Sequence, residues 1–119
     1  MDQQRKIPGW TSQEIVEEGE RLARRLARPG QAVSSNQLRK FLGALRKIEA
    51  RGESRFHVDD VIFLKVPLTW ASAREPKLEE FREKVESRID YVDTFEKFKG
   101  LTRFVEAIVA YHKKHGGPP

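Results

Sequence analysis

Between about Thr94 and Lys114 the chain places Phe95, Phe98, Leu101, Phe104, Val105, Ile108, Val109 and Tyr111 three and four residues apart. That spacing is the period of an α-helix. The apolar arc covers roughly half of the helix circumference, so no single neighbour can bury it. The rest of the chain must supply elements that surround this one helix.

The preceding segments have the pattern to do so. Thr11 with Glu14 forms a T-x-x-E capping box and opens a first helix with a face of Ile15, Val16, Gly19, Leu22, Ala23 and Leu26. Pro29-Gly30 ends it. Ser34 with Gln37 forms a second box ahead of Leu38, Phe41, Leu42, Leu45 and Ile48, and Arg51-Gly52 closes that helix. The segment from about Val58 to Ala73 is ambiguous, because Val61-Ile62-Phe63-Leu64-Lys65-Val66 has the β-branched character of a buried strand. No other segment offers a partner strand, so a helix is predicted, kinked where Pro67 removes the hydrogen bond to the Phe63 carbonyl. Pro76 suits a first helical turn and precedes Leu78, Phe81, Val85, Ile89 and Val92. The expectation is an all-α fold, a compact bundle of about five helices forming a single domain over residues 1–119, with 1–10 and 115–119 frayed.

Composition narrows the chemistry. A chain of 119 residues can bury a core without covalent staples. It has no cysteine, which excludes disulfides, thiolate zinc sites and a cysteine nucleophile. The longest apolar runs, Val61–Leu64 and Ala107–Tyr111, are far too short for a membrane span, and no apolar segment follows the first basic residues. A cytoplasmic protein with no membrane partner is expected. The net charge of +5 and pI near 9.7 favour a polyanionic partner.

Catalytic constellations are thin. His112 and His115 are spaced as metal ligands on one helix would be, but a third ligand is not evident, and His112 falls inside the apolar arc where a packed histidine belongs. Asp59-Asp60 complements a helix dipole, and Asp90 with Asp93 reads as solvated rather than as a dyad. No phosphate-binding glycine loop or nucleophile elbow is present. No enzyme activity, metal or cofactor is expected.

The cations are more informative. Arg21, Arg24, Arg25 and Arg28 end a helix that begins with Glu14, Glu17, Glu18 and Glu20, an order the macrodipole favours. On the second helix Arg39 and Arg46 form one row, and Lys40, Lys47 and Arg51 form another about 100° away. Gly43 and Ala50 lie between them, and small residues flanked by cations let a phosphate backbone approach closely. No acid of that helix shares the face. Nothing in the pattern reads base edges. Trp70 is the best candidate for a base-stacking aromatic.

Three stretches carry a resemblance. Phe104-Val105-Glu106-Ala107-Ile108-Val109-Ala110-Tyr111-His112-Lys113, followed by Gly116-Gly117, resembles the carboxyl-terminal signature of the small helical subunit of type III-A CRISPR (Csm) interference complexes. Gln37-Leu38-Arg39-Lys40-Phe41-Leu42 is similar to that family's S-x-Q-[LI]-R-K segment. Leu64 to Arg74 is similar to its L-K-P-x-L-A-Y-x-x-x-R segment, with Thr69-Trp70 in place of Ala-Tyr and the proline shifted by one. The resemblance implies a non-catalytic, all-helical, RNA-binding structural subunit for antiviral defence. Its copies would stack head to tail as the minor filament along the guide–target RNA duplex, contacting mainly the target strand. Its further partners would be the repeat backbone subunits and the large polymerase-like subunit. The RNA-binding residues expected are Arg39, Lys40, Arg46, Lys47 and Arg51, with Arg74 and Lys113 added from the family motifs. The alternative reading is a helical protein–protein adaptor with basic docking faces.

Overall fold

The computed structural model describes residues 10–119; the expected fraying of residues 1–9 lies outside them. Six α-helices form among the described residues: α1 (Ser12–Leu26), α2 (Ser35–Ala50), α3 (Val58–Phe63), α4 (Lys65–Arg74), α5 (Glu79–Ile89) and α6 (Phe95–Lys114), and no strand is present there. Both capping boxes form as the sequence specifies. The Thr11 hydroxyl accepts from the Glu14 amide and the Glu14 carboxylate accepts from the Thr11 amide, and Ser34 and Gln37 repeat the exchange at α2. Thr94 caps α6 by accepting from the Lys97 amide. Each cap satisfies amide groups that the first helical turn leaves without partners.

The helix with the widest apolar arc is the axis of the bundle. Phe98, Leu101, Phe104, Val105 and Ile108 of α6 are all fully buried. On one side α1 runs alongside with Trp10 against Gly100 and Gly19 against Ala107, where a Cβ on Gly19 would stand only 2.9 Å from the Ala107 Cβ. On another side α2 runs in the opposite direction, since Arg46 meets Glu106 while Val33, just ahead of α2, meets His112. Phe41 of α2 meets Phe81 of α5 edge to face at 5.7 Å, and Phe56 packs on Phe95 and Phe98 at 5.6 Å each. The seam between α1 and α5 is charged: Arg25 pairs with Glu80, and Arg88 pairs with Glu18 at 2.6 Å.

Four expectations change. The third predicted helix is not one kinked rod; it is divided at Leu64 into α3 and α4, because Pro67 offers no N–H to the Phe63 carbonyl and the ladder breaks there. Pro76 opens a single 3-10 turn, Pro76–Leu78, ahead of α5. Val16, counted on the inner face of α1, is exposed. The tail expected to fray is docked. Gly116, at φ 85°, makes the left-handed turn that ends α6, with the Gly117 amide donating to the His112 carbonyl and the Gly116 amide to the Lys113 carbonyl. The Pro118 and Pro119 carbonyls then accept from the Ser35 and Asn36 amides in the first turn of α2.

Candidate nucleic-acid interface

The outer face of α2 carries the predicted cations, and the packing separates their two rows. The Arg39–Arg46 row flanks α6: Arg46 pairs with Glu106 at 2.9 Å. Lys113 follows His112 on α6, and the His112 ring meets Val33 just ahead of α2. The Lys40–Lys47–Arg51 row flanks α3 and α4: Arg51 pairs with Asp60 at 3.3 Å, and Lys40 lines a groove shared with α4. The expectation that no acid reaches this face is therefore corrected. Acids arrive from α6 and α3, leaving Arg39, Lys40, Lys47, Arg74 and Lys113 exposed and without an ion pair among the described residues.

Gly43 lies between the rows. A Cβ built there would meet nothing within 4 Å. Glycine in a helix interior costs roughly 0.5–1 kcal/mol relative to alanine, and no neighbour within the fold requires it. What the missing side chain leaves is helix backbone open to a close approach from outside.

The groove between α2 and α4 has a volume of about 510 Å³. Phe41, Ala44, Leu68, Ala71, Leu78 and Phe81 contribute its apolar lining. Lys40, Arg74, Glu75 and Trp70 also line it, and the Trp70 side chain is 66% exposed. Residues from separate sequence motifs, Lys40 and Trp70 with Arg74, are thus brought to one place. Along the α3–α4 elbow, Ile62, Phe63 and Val66 are exposed as well, Phe63 at 67%. The sequence left this stretch ambiguous between a buried strand and a helix. Its signal was the lack of any polar side: a short element apolar all round buries only part of itself, here Val61, Leu64 and Leu68.

The remaining candidates separate. His112 is fully buried and its Nε2–H donates to the Val33 carbonyl at 2.9 Å, whereas His115 turns to Glu20 at 3.1 Å. Burial holds the His112 pKa below the usual histidine value against its carbonyl hydrogen bonds, so the ring is neutral near pH 7. Asp90 goes to Lys65 and Asp93 to Lys97, so the two aspartates form no dyad. In the α1 arginine row, Arg24 pairs with Glu20 and Arg25 with Glu80. Among the described residues no three histidine or carboxylate side chains group as metal ligands do, and no helix is long and apolar enough to cross a membrane.

Fold and surface together define a small, basic, all-helical protein whose most open feature is a cationic helix face. The family model described as Csm2 Type III-A matches residues 10–118. The chain belongs to that family, which makes it a structural subunit of a type III-A CRISPR complex. No curated protein and no solved structure matches it.

Proposed function

We propose that this chain is a non-catalytic RNA-binding subunit of a cytoplasmic ribonucleoprotein for antiviral defence. Its copies stack head to tail as the minor filament along the guide–target RNA duplex, beside the repeat backbone subunits and the large polymerase-like subunit. The observation that carries the reading is Gly43: an open glycine in a helix interior, flanked by exposed cations and unexplained by packing. Arg39, Lys40 and Lys47 take phosphates. Arg46 and Arg51 do so only in exchange for Glu106 and Asp60, and Arg74 and Lys113 extend the surface on either side. Phosphate contacts fix register and carry no base information. The exposed Ile62, Phe63 and Val66 support contact with neighbouring subunits, since clustered exposed apolar residues mark interfaces. A protein–protein adaptor would dock acidic partners on the same cationic faces and would show no salt-sensitive RNA binding.

The test replaces Arg39, Lys40, Arg46 and Lys47 by alanine together. All four are exposed, and each change is expected to move stability by about 0.5 kcal/mol or less. RNA binding should fall for all sequences alike. The slope of log K against log salt should flatten by roughly 0.7 for each phosphate no longer neutralised on a single strand, or roughly 0.9 on a duplex. The measurement is made on the free chain and on the assembled complex, where adjacent copies raise one another's effective concentration. An unchanged slope with normal target binding would put the RNA elsewhere. A companion variant, Gly43→Ala, should raise stability by about 0.5–1 kcal/mol while weakening RNA binding; a gain in stability with unaltered binding removes the close-approach argument.

A further inference from the structure

We propose that the groove between α2 and α4 receives an unpaired base of the bound RNA, stacked on Trp70, with Lys40 and Arg74 holding the flanking phosphates. This rests on the reading of α2 as an RNA face and adds to it a preference for single-stranded over fully paired segments.

A tryptophan indole left 66% in water at a groove mouth has a large apolar surface with no partner in the fold. Nucleobases stack on such rings whatever their sequence, and only a base free of its own stack presents its face. The groove's volume, about 510 Å³, lies in the range of sites that enclose one small molecule. The apolar lining from Phe41, Leu68, Leu78 and Phe81 suits a ring and not a phosphate. The charges divide accordingly. Lys40 and Arg74 reach the groove from separate helices and have no ion pair among the described residues, so both are available to phosphates. Glu75 also lines the groove. A carboxylate repels a phosphate but accepts an N–H from a base edge. A duplex backbone laid along the groove would meet that repulsion, and an inserted base would use it. Lys40 belongs to both the groove and the α2 face, so the groove opens beside the surface that would hold the RNA strand.

The experiment follows the indole N–H signals of the full-length, ¹⁵N-labelled chain. There are two tryptophans, and Trp70→Phe assigns them. The probes are a short oligoadenylate, an oligouridylate of the same length and a blunt RNA duplex. The Trp70 signal is expected to move with oligoadenylate, less with oligouridylate because purines stack better, and to stay in place with the duplex. Trp70→Ala is expected to weaken oligoadenylate binding about tenfold, within what one base stack contributes, and to leave duplex binding unchanged. If backbone amides of Arg39 and Lys47 respond to oligoadenylate while the Trp70 indole does not, the groove takes no base, although the α2 face binds RNA. If neither responds, the groove assignment falls together with the RNA reading. Equal loss of single-strand and duplex binding in Trp70→Ala also overturns it. Broadening of the Trp70 signal with protein concentration, in the absence of RNA, would make the groove a protein interface instead.

Discussion

Replacing Arg88 by alanine is expected to lower the unfolding free energy by about 2–4 kcal/mol and the melting temperature by about 10 °C. The side chain is only 7% exposed, on α5 where a charged residue is least expected. Its guanidinium lies 3.7 Å from the centre of the Phe104 ring and 5.4 Å from that of Trp10, and it donates to Glu18 at 2.6 Å. Burial lowers its pKa, and Glu18 first and Glu14 next pull it back; an arginine remains charged throughout. Alanine would leave a void between α5, α6 and Trp10, and the missing packing makes up most of the cost. Glu18, being partly exposed, can turn to water. Arg88→Met fills the void without a charge and should cost less than about 1 kcal/mol, since apolar replacements of buried ion pairs are often neutral. Urea unfolding followed by circular dichroism separates the two. Equal losses in both variants would mean that the ion pair, and not the filling of the space over Phe104, holds α5 in place.

His112→Gln is expected to cost about 1–3 kcal/mol and to change how stability depends on pH. The ring is sealed: its Nε2–H is bound to Val33, its Nδ1 has no partner among the described residues, and a Cβ on Gly117 would land inside it. Glutamine can keep the bond to Val33 but not the shape that Gly117 covers. Because burial depresses the folded pKa, the unfolded chain, titrating near 6.5, binds more protons in the window between the two values. The contribution of the neutral ring is complete above about pH 6.5 and is lost as pH falls below it, with a slope of at most about 1.4 kcal/mol per pH unit. The Glu20 pKa is lowered chiefly by the His115 hydrogen bond, so that carboxylate stays ionised between about pH 5.5 and about pH 7.5. The stability gap between the parent and His112→Gln should therefore narrow from about pH 7.5 to about pH 5.5. A gap independent of pH would refute the buried neutral state. A variant with an unchanged melting temperature and abolished RNA binding would make His112 a contact residue instead.

What could be read from the sequence was local. Thr11 with Glu14 and Ser34 with Gln37 announce helix starts because the cap and the side chain three residues on satisfy the first amides. The arc from Phe98 to Ile108 identified the central helix because its width leaves no other place for it. The packed state of His112 was legible for the same reason. What could not be read depends on which elements meet. Glu106 neutralises Arg46 from 60 positions further along the chain, and no inspection of α2 alone reveals it. Lys40, Trp70 and Arg74 converge only once α4 lies along α2. The outward turn of Ile62, Phe63 and Val66 follows from the break at Leu64, which sets the faces of α3 and α4 independently. The docking of Pro118 and Pro119 on α2 is likewise a tertiary event with no local signature.

The position of α6 as the axis has a consequence for synthesis. α1 finds its main partner only in α6, with Gly19 waiting for Ala107 and Trp10 for Gly100. Ribosomes add roughly 5 to 20 residues per second, so the apolar stripes of α1 and α2 spend seconds outside the exit tunnel with nothing to close on. An amino-terminal portion ending before α6 keeps the contact of Phe41 with Phe81 but lacks the helix on which α1 and α2 close. Closure of the core around Phe98, Phe104 and Ile108 therefore waits until α6 has been made, and a transcript cut short upstream of Phe95 leaves the apolar faces of α1 and α2 open to chaperones and proteases.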